Sequence, residues 1–346
     1  MFRSMKTRTA LAAAALVGAA ALVAGCSSSP TSPSTAPAGT GDAALDELIA
    51  AAQAEGEVTL YSSLDERIVQ QIQTAFQDEY GVQLSYLRAT AAEISQRFSA
   101  EADADAKVAD VIVTLNDGFL ADGIEQGRIQ PLEDADIPGY PGEWLPEEAQ
   151  MDGLAVVQLT QLGMGFNTDN APEIETWEDL LDPALTGKVA ISSPDSAVHL
   201  GLFYVLSEEY GMEFLEALGA QVERVYTSGS QVVEALSSGE AWAAPGTVAT
   251  GLEIAKGQGA PLGWAIPENT LLSPNVMGLV ADSPHPAGAR LLSHFLTSEE
   301  GLALLNDSPG QVAPSTQAFE AGWLLGAELS ADAAEKKAEI VEALGI

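Results

Sequence analysis

The stretch TLYSSLDE, residues 59–66, follows GEV and runs straight into RIVQQIQTAF. A short apolar run stops at two serines, and an amphipathic pattern begins in which Ile68, Ile72 and Phe76 recur at helical spacing. That helix is expected to end near Gly81, which suits a left-handed C-terminal turn. The same unit then returns. VQLSYL (82–87) reads as a strand, and Thr90-Ala-Ala-Glu93 is a capping box opening a helix that carries Ile94 and Phe98. ADVIVTL (109–115) is an apolar strand of the kind buried on both faces of a parallel sheet, followed by the helical pattern DGFLADGIEQG. Strands alternating with helices in this way predict an α/β sheet covered on both sides. The turn that holds Ser62, Ser63 and Asp65 either starts a helix or forms a surface that holds something.

Upstream, Leu45, Leu48, Ile49 and Ala52 form a helical stripe after Asp42, a capping residue. Downstream, residues 139–153 are rich in proline, glycine and acid, and they break the rhythm. The α/β pattern then resumes. LAVVQLTQLGMGFNTD (154–169) offers two apolar runs, TWEDLLDPALTGKVAIS (176–192) gives helix then strand, and Ser193-Pro194 opens a further helix. RVYTSGSQVVEALSSGEAWAAPG (224–246) reads as strand, polar turn, helix and strand. With the pattern occurring twice around residue 155, two lobes are expected. The first is 42–155 with a return segment at about 277–317, and the second is 156–276 with C-terminal helices at about 318–346. The chain is expected to cross between them along 154–167 and again near 270–277.

The 346 residues, 47% hydrophobic, are ample for two cores. Residues 1–25 read as a leader. Arg3, Lys6 and Arg8 precede an apolar run too short for a membrane span. The run ends in Leu-Val-Ala-Gly-Cys26, as in a bacterial lipoprotein signal in which Cys26 becomes the lipidated first residue. Residues 27–41 are Ser/Thr/Pro/Ala/Gly without periodicity, so 26–41 is expected to be a tether reaching ~45 Å at ~3 Å per residue. Cys26 is the sole cysteine, which excludes disulfides within the chain and thiolate metal sites. Against 50 Asp and Glu stand 14 Lys and Arg, a formal charge of −36; losing the three basic residues of the leader makes it −39. That excludes nucleic acid as a partner and speaks against a polybasic contact with anionic lipid.

No Gly-x-Ser-x-Gly elbow, His-Glu-x-x-His helix or Walker loop is present, and the three histidines are scattered. The expectation is a protein that is not an enzyme. A sensing module that binds without delivering is the rival within the binding class.

The segment 57–133, from EVTLYSSLDE to GRIQPLE, resembles the opening lobe of solute-binding proteins of ABC importers, in the subgroup described as ferric-iron type. GFNTD…TWEDLLDPALTGKVAIS, VVEALSSGEAWAA and DSPHPAGARLLSHFLTSEEGLALL extend the likeness, in order, over most of residues 55–315. The resemblance implies a two-lobed periplasmic-binding-protein fold of type II, with hinge strands and a ligand cleft between the lobes. It implies an ABC permease and ATPase as partners, a monomer, and a lipid-anchored place on the extracytoplasmic face of the cytoplasmic membrane.

In open α/β sheets, ligands sit beyond the carboxyl ends of strands, where free N–H groups at helix starts suit anions and polar solutes. Candidate ligand contacts are therefore Ser62, Ser63, Asp65, Arg88, Thr90 and Asn116 from the first lobe. From the second come Ser193, Ser196, Ser228, Ser230, Thr247 and Thr250. Each turn is equally an ordinary helix cap. Arg88 stands out because it follows a strand end directly and can fork onto a carboxylate, phosphate or carbonate. The resemblance places an anion-contacting arginine at about this position. Trp242 and Trp264 are candidate cleft walls, with core packing the commoner reading.

Ferric-iron receptors typically place neighbouring tyrosines shortly after the GE strand. Here that segment reads GEAWAAPGTVATG, and Val248, Ala249 and Thr250 occupy the neighbourhood. Two classes of transported ligand follow, ferric iron or an iron chelate and, on at least an equal footing, a small organic anion; no cofactor or metal-ligand set is assigned.

Overall fold

The computed structural model describes residues 40–115 and 118–346. The leader, Cys26, the tether up to residue 39 and Asn116 lie outside the described residues. No helix among those described is long and apolar enough to cross a membrane.

The opening segment folds as helix α1 (Ala43–Glu55), strand β1 (Glu57–Ser62), α2 (Glu66–Tyr80), β2 (Gln83–Arg88), α3 (Ala91–Asp103), β3 (Val111–Leu115) and α4 (Phe119–Glu125). Short strands β4 (Ile129–Gln130) and β5 (Gln150–Met151) lead to the long β6 (Leu154–Gln161). Then come β7 (Gly163–Asn167), β8 (Val189–Ser192), α5 (Ala197–Tyr210), α6 (Met212–Gln221), β9 (Val222–Tyr226), α7 (Gly229–Ser238), β10 (Ala243–Thr247), α8 (Ala249–Gly257) and β11 (Leu262–Ala265). The chain returns through β12 (Thr270–Val280), α9 (Pro286–Leu296), α10 (Glu299–Leu305), β13 (Gln311–Val312), α11 (Thr316–Glu320) and β14 (Gly322–Leu324). It closes with α12 (Ala327–Leu344). The helix caps follow the sequence: Asp42 caps α1, Asp65 caps α2, Thr90 and Glu93 form the capping box of α3, and Gly81 ends α2 in the left-handed region.

Two sheets result. The first runs β13-β6-β12-β3-β1-β2, with β4 and β14 on β12 and β5 on β6; the second runs β11-β7-β10-β8-β9. Each has its own apolar core. The first lobe packs Leu60, Ile68, Ile72, Phe76, Ile112 and Phe295 around its sheet. The second has one core on Trp177, Phe203 and Leu215 and another on Val232, Leu236 and Leu252. Helix α12 belongs to the second lobe, burying Leu329, Ala333, Ile340 and Leu344 there.

The crossings at Leu162 and Thr270 lie within the expected 154–167 and 270–277, but the sheets divide the chain at other residues than the expected lobe bounds. β6 pairs with β12 along most of its length, so the chain leaves the first sheet at Leu162 rather than at 156. β12 rejoins that sheet at Thr270, seven residues before the expected return, and β14 is part of the first sheet although it lies beyond 318. An apolar run shows where a strand is, while its hydrogen-bond partners decide which sheet owns it. At the crossing, Leu162 N donates to Leu271 O at 3.0 Å and Thr270 Oγ1 donates to Leu162 O. Gly163, the first residue of β7, passes close against the end of β11, and a Cβ there would overlap the carbonyl oxygen of Ala265. Gly163→Ala is expected to destabilise the protein by about 1–3 kcal/mol, the usual cost of overpacking; equilibrium denaturation checks it.

Candidate solute-binding cleft

β1 and β2 are parallel neighbours, with Ser62 opposite Arg88, so their carboxyl ends open side by side. The turn after β1 is held by its own backbone. Ser62 is fully buried and its Oγ accepts from Leu64 N at 3.2 Å, while Ser63 Oγ accepts from Leu115 N at 3.2 Å. Asp65 Oδ1 accepts from Arg67 N at 2.9 Å as the α2 cap. Arg88 reaches across from β2, and its Nε donates to Leu64 O at 3.1 Å.

Beyond these turns lies a cleft of about 270 Å³ lined from both lobes. Its first-lobe side has Ser63, Leu64, Asp65, Ile68 and Arg88, together with a polar floor of Gln158, Thr160, Asn275 and Gln311. The floor groups are tied to one another. Asn275 Nδ2 donates to Gln158 Oε1 at 3.0 Å, and Thr160 Oγ1 donates to Gln311 Oε1 at 2.8 Å. Gln158 Nε2 donates to Leu305 O. The second lobe contributes Val248 and Thr250 from the start of α8. Thr250 Oγ1 donates to Pro309 O at 3.0 Å, bridging the lobes. That loop is fastened to α2 by Arg67, which pairs with Asp307 at 3.0 Å and donates to Ser308 Oγ at 2.7 Å. The hydrogen bond from Arg67 holds the Asp307 carboxyl below its ordinary range.

With that geometry in place, comparison with known proteins decides the family. Residues 106–329 match the model of the bacterial extracellular solute-binding proteins. The chain belongs to that family. It is similar to an uncharacterized protein of Haemophilus influenzae, 27% identical over 271 residues, 73% of this chain and 76% of that one. Among solved structures it is similar to AfuA of Actinobacillus pleuropneumoniae, described with fructose-6-phosphate bound (TM-score 0.56, 19% identity, 84% of this chain and 99% of the other). It is also similar to iron-bound HitA of Pseudomonas aeruginosa (TM-score 0.61, 20% identity, 83% and 99%). The resemblance to solute-binding proteins and the two-lobed fold therefore stand.

In this solute-binding protein, four expected contacts meet in the cleft: Ser63, Asp65, Arg88 and Thr250. Ser62 lies beneath them, Thr90 is occupied with Glu93, and Thr247 is buried with its Oγ1 unpartnered, so none of these lines the cleft. Neither do Ser193 and Ser196 after β8, nor Ser228 and Ser230 after β9. Ser193 Oγ bonds Asp195 at 3.0 Å, and Ser228 Oγ sits 3.1 Å from Ser230 Oγ while capping α7. The strand order explains this difference: β10 lies next to the hinge strand β7, whereas β8 and β9 lie successively outward. Of the turns after β8, β9 and β10, only the last contributes to the cleft lining. Trp242 lies under Lys188 Nζ, 5.4 Å from the ring centroid, and Trp264 Nε1 donates to Glu253 at 2.8 Å; neither walls the cleft.

Sequence reasoning missed Gln158, Thr160, Asn275 and Gln311. A signal was present, because Gln158 and Asn275 stand next to apolar residues in central strands, and a buried amide there needs a partner or a ligand. No tyrosine lines the cleft. Tyr61 is buried against Glu101, and desolvation pushes its phenol up to about 12. Tyr86, hydrogen-bonded to Glu66 at 2.7 Å, is also raised. These phenols are held protonated rather than as phenolates.

Eight of the eleven Lys and Arg outside the leader are ion-paired within 4 Å among the described residues. The remaining three are Lys188 over Trp242, Arg290, whose Nε donates to Pro286 O at 3.2 Å, and Arg88. Arg88 alone of these faces the cleft. Arg88→Ala is expected to weaken solute binding by about 2 kcal/mol, roughly thirty-fold, by removing charge-assisted hydrogen bonds. Calorimetry checks this, and unchanged affinity removes Arg88 from the site.

The histidines lie outside the cleft. His199, on the first turn of α5, bonds Gly246 O through Nε2 at 3.2 Å, and its Nδ1 is buried without a partner. Burial lowers its pKa below the ordinary 6.5. The unfolded chain therefore takes up a proton first as pH falls. The stability due to neutral His199 is complete above pH 6.5 and is lost as pH drops from there through the lower folded value. Between pH 7 and 5, unfolding free energy should fall more steeply for the native protein than for His199→Gln; urea titrations at each pH compare the two.

Proposed function

We propose that this protein is the extracytoplasmic receptor of an ABC importer, anchored through lipidated Cys26 and its tether. In this reading it captures a small organic anion on Arg88 by lobe closure. The observation that carries it is the position of Arg88. In a chain with 50 carboxylates, it is the one cation in the cleft and it has no carboxylate partner within 4 Å among the described residues. Its Nη groups are left for an oxyanion, which a guanidinium grips with two parallel hydrogen bonds.

Closure would bring α8 of the second lobe onto the solute held by the first, by rotation about the crossings at Leu162 and Thr270. Water leaves as the lobes meet, and each charge-assisted contact strengthens in the drier cleft. The closed form is then the one a permease reads, with its ATPase supplying the energy. The family is one of solute-binding proteins, and the cleft supports binding rather than catalysis. It contains no histidine and no cysteine, and its single carboxylate, Asp65, is engaged as a helix cap.

A bare ferric ion fits this lining poorly. Hard trivalent cations need several anionic oxygen donors. The cleft offers one carboxylate, neutral amides and hydroxyls, and a guanidinium that repels the metal. The supported cargo is an organic solute. Mass spectrometry of the protein purified under native conditions should find a small oxyanion-bearing molecule in stoichiometric amount. A visible charge-transfer band with bound iron would instead overturn the organic-solute reading.

A further inference from the structure

The cleft holds two formal charges, Arg88 and Asp65, and they do not neutralise each other. Both rise from the carboxyl ends of neighbouring parallel strands, and Arg88 Nε rests on the carbonyl of Leu64, the residue preceding Asp65. No Arg88 nitrogen lies within 4 Å of a carboxylate oxygen among the described residues, although eight other cations of the chain have found one. Arg88 has committed only Nε, and Asp65 only Oδ1, to Arg67 N. Two opposite charges thus stand side by side in one cleft, each with its outer atoms uncommitted.

An anion resting on Arg88 feels repulsion from Asp65, and a cation resting on Asp65 feels repulsion from Arg88. A solute that carries both signs gains at both places. It also enters a molecule whose net charge without the leader is −39, and does so without adding to that charge, whereas a simple anion must work against that field. The remaining lining is neutral: amides and hydroxyls on the floor, with Leu64, Ile68 and Val248 as apolar surface for a short carbon frame.

We propose that the solute is a small zwitterion, with its oxyanion on Arg88 and its ammonium on Asp65. This rests on the reading of Arg88 above and names the other end of the same ligand. Asp65→Asn is the discriminating variant, because asparagine caps a helix as well as aspartate does, so α2 keeps its start while the charge is lost. Calorimetry would compare the twenty common amino acids, β-alanine, γ-aminobutyrate and phosphoethanolamine with propionate, butyrate, ethyl phosphate and the corresponding amines. At least one zwitterion should bind the native protein ten-fold or more tightly than its counterpart lacking either charge. Asp65→Asn should erase that preference over the deaminated counterpart while leaving the melting temperature unchanged.

The proposal is overturned if deaminated anions bind the native protein as well as the zwitterions do, or if Asp65→Asn leaves the preference intact. It is equally overturned if no zwitterion of the set binds. In the first two cases, a loss of binding in Arg88→Ala keeps the anion-receptor reading alive. If Arg88→Ala also leaves the affinity for the copurified solute unchanged, that reading falls separately.

Discussion

Strands β6 and β12 run antiparallel at the heart of the first sheet and approach the crossings next to each other, with Leu162 N bonded to Leu271 O. This one ladder is the constraint on which the cleft depends. It places Gln158, Thr160 and Asn275 on a rigid, central part of the sheet. It also sets where the second lobe begins and therefore which of that lobe's turns faces the first. Just beyond it, Gly163 lets β7 pass close against the end of β11. A hinge built from paired strands confines the relative motion of two bodies to rotation about a narrow axis, so the lining groups on each side keep their own geometry as the gap changes.

Charge is the second organising principle. The surface is overwhelmingly acidic, and most of its few cations are spent on exposed ion pairs such as Arg224–Glu240 and Lys256–Glu253. Such pairs contribute little stability. Their effect on function is by contrast: in a chain so rich in carboxylates, a guanidinium that faces a cleft and bonds only a backbone carbonyl has its binding capacity in reserve. The surrounding amides and hydroxyls add directional contacts without adding charge, a combination suited to selecting a polar solute by shape and hydrogen bonding.

The opposite end of the first sheet shows what a polar network looks like when its role is structural. Asp110 is fully buried and accepts from Thr59 N at 2.7 Å, Ser283 Oγ at 2.5 Å, His285 N at 3.1 Å and His285 Nδ1 at 2.9 Å. Glu55 accepts from Ala287 N and Gly288 N, closing the start of α9. Nearly every donor there has an acceptor inside the protein. At the cleft, the guanidinium of Arg88 and the outer oxygen of Asp65 are left over. The same residue types thus serve stability at one end of the strands and recognition at the other, and the difference lies in saturation.

Much of this was written locally in the chain. Alternating strands and helices, the caps at Asp42, Asp65 and Thr90, the stop at Gly81 and the exposed strand-end position of Arg88 each depend on a few adjacent residues, and periodicity and cap chemistry encode such features directly. The family likeness in ordered segments carried the two-lobed architecture. What local pattern could not supply was the order of strands within each sheet. That order put the turn after β10 against the first lobe and left the serines after β8 and β9 outside the cleft. It also brought Gln158 to Asn275, 117 residues apart, to make the floor. Secondary structure follows from neighbours in sequence, but a binding surface is made of residues that become neighbours only through long-range strand pairing. That pairing was decided by the tertiary fold alone.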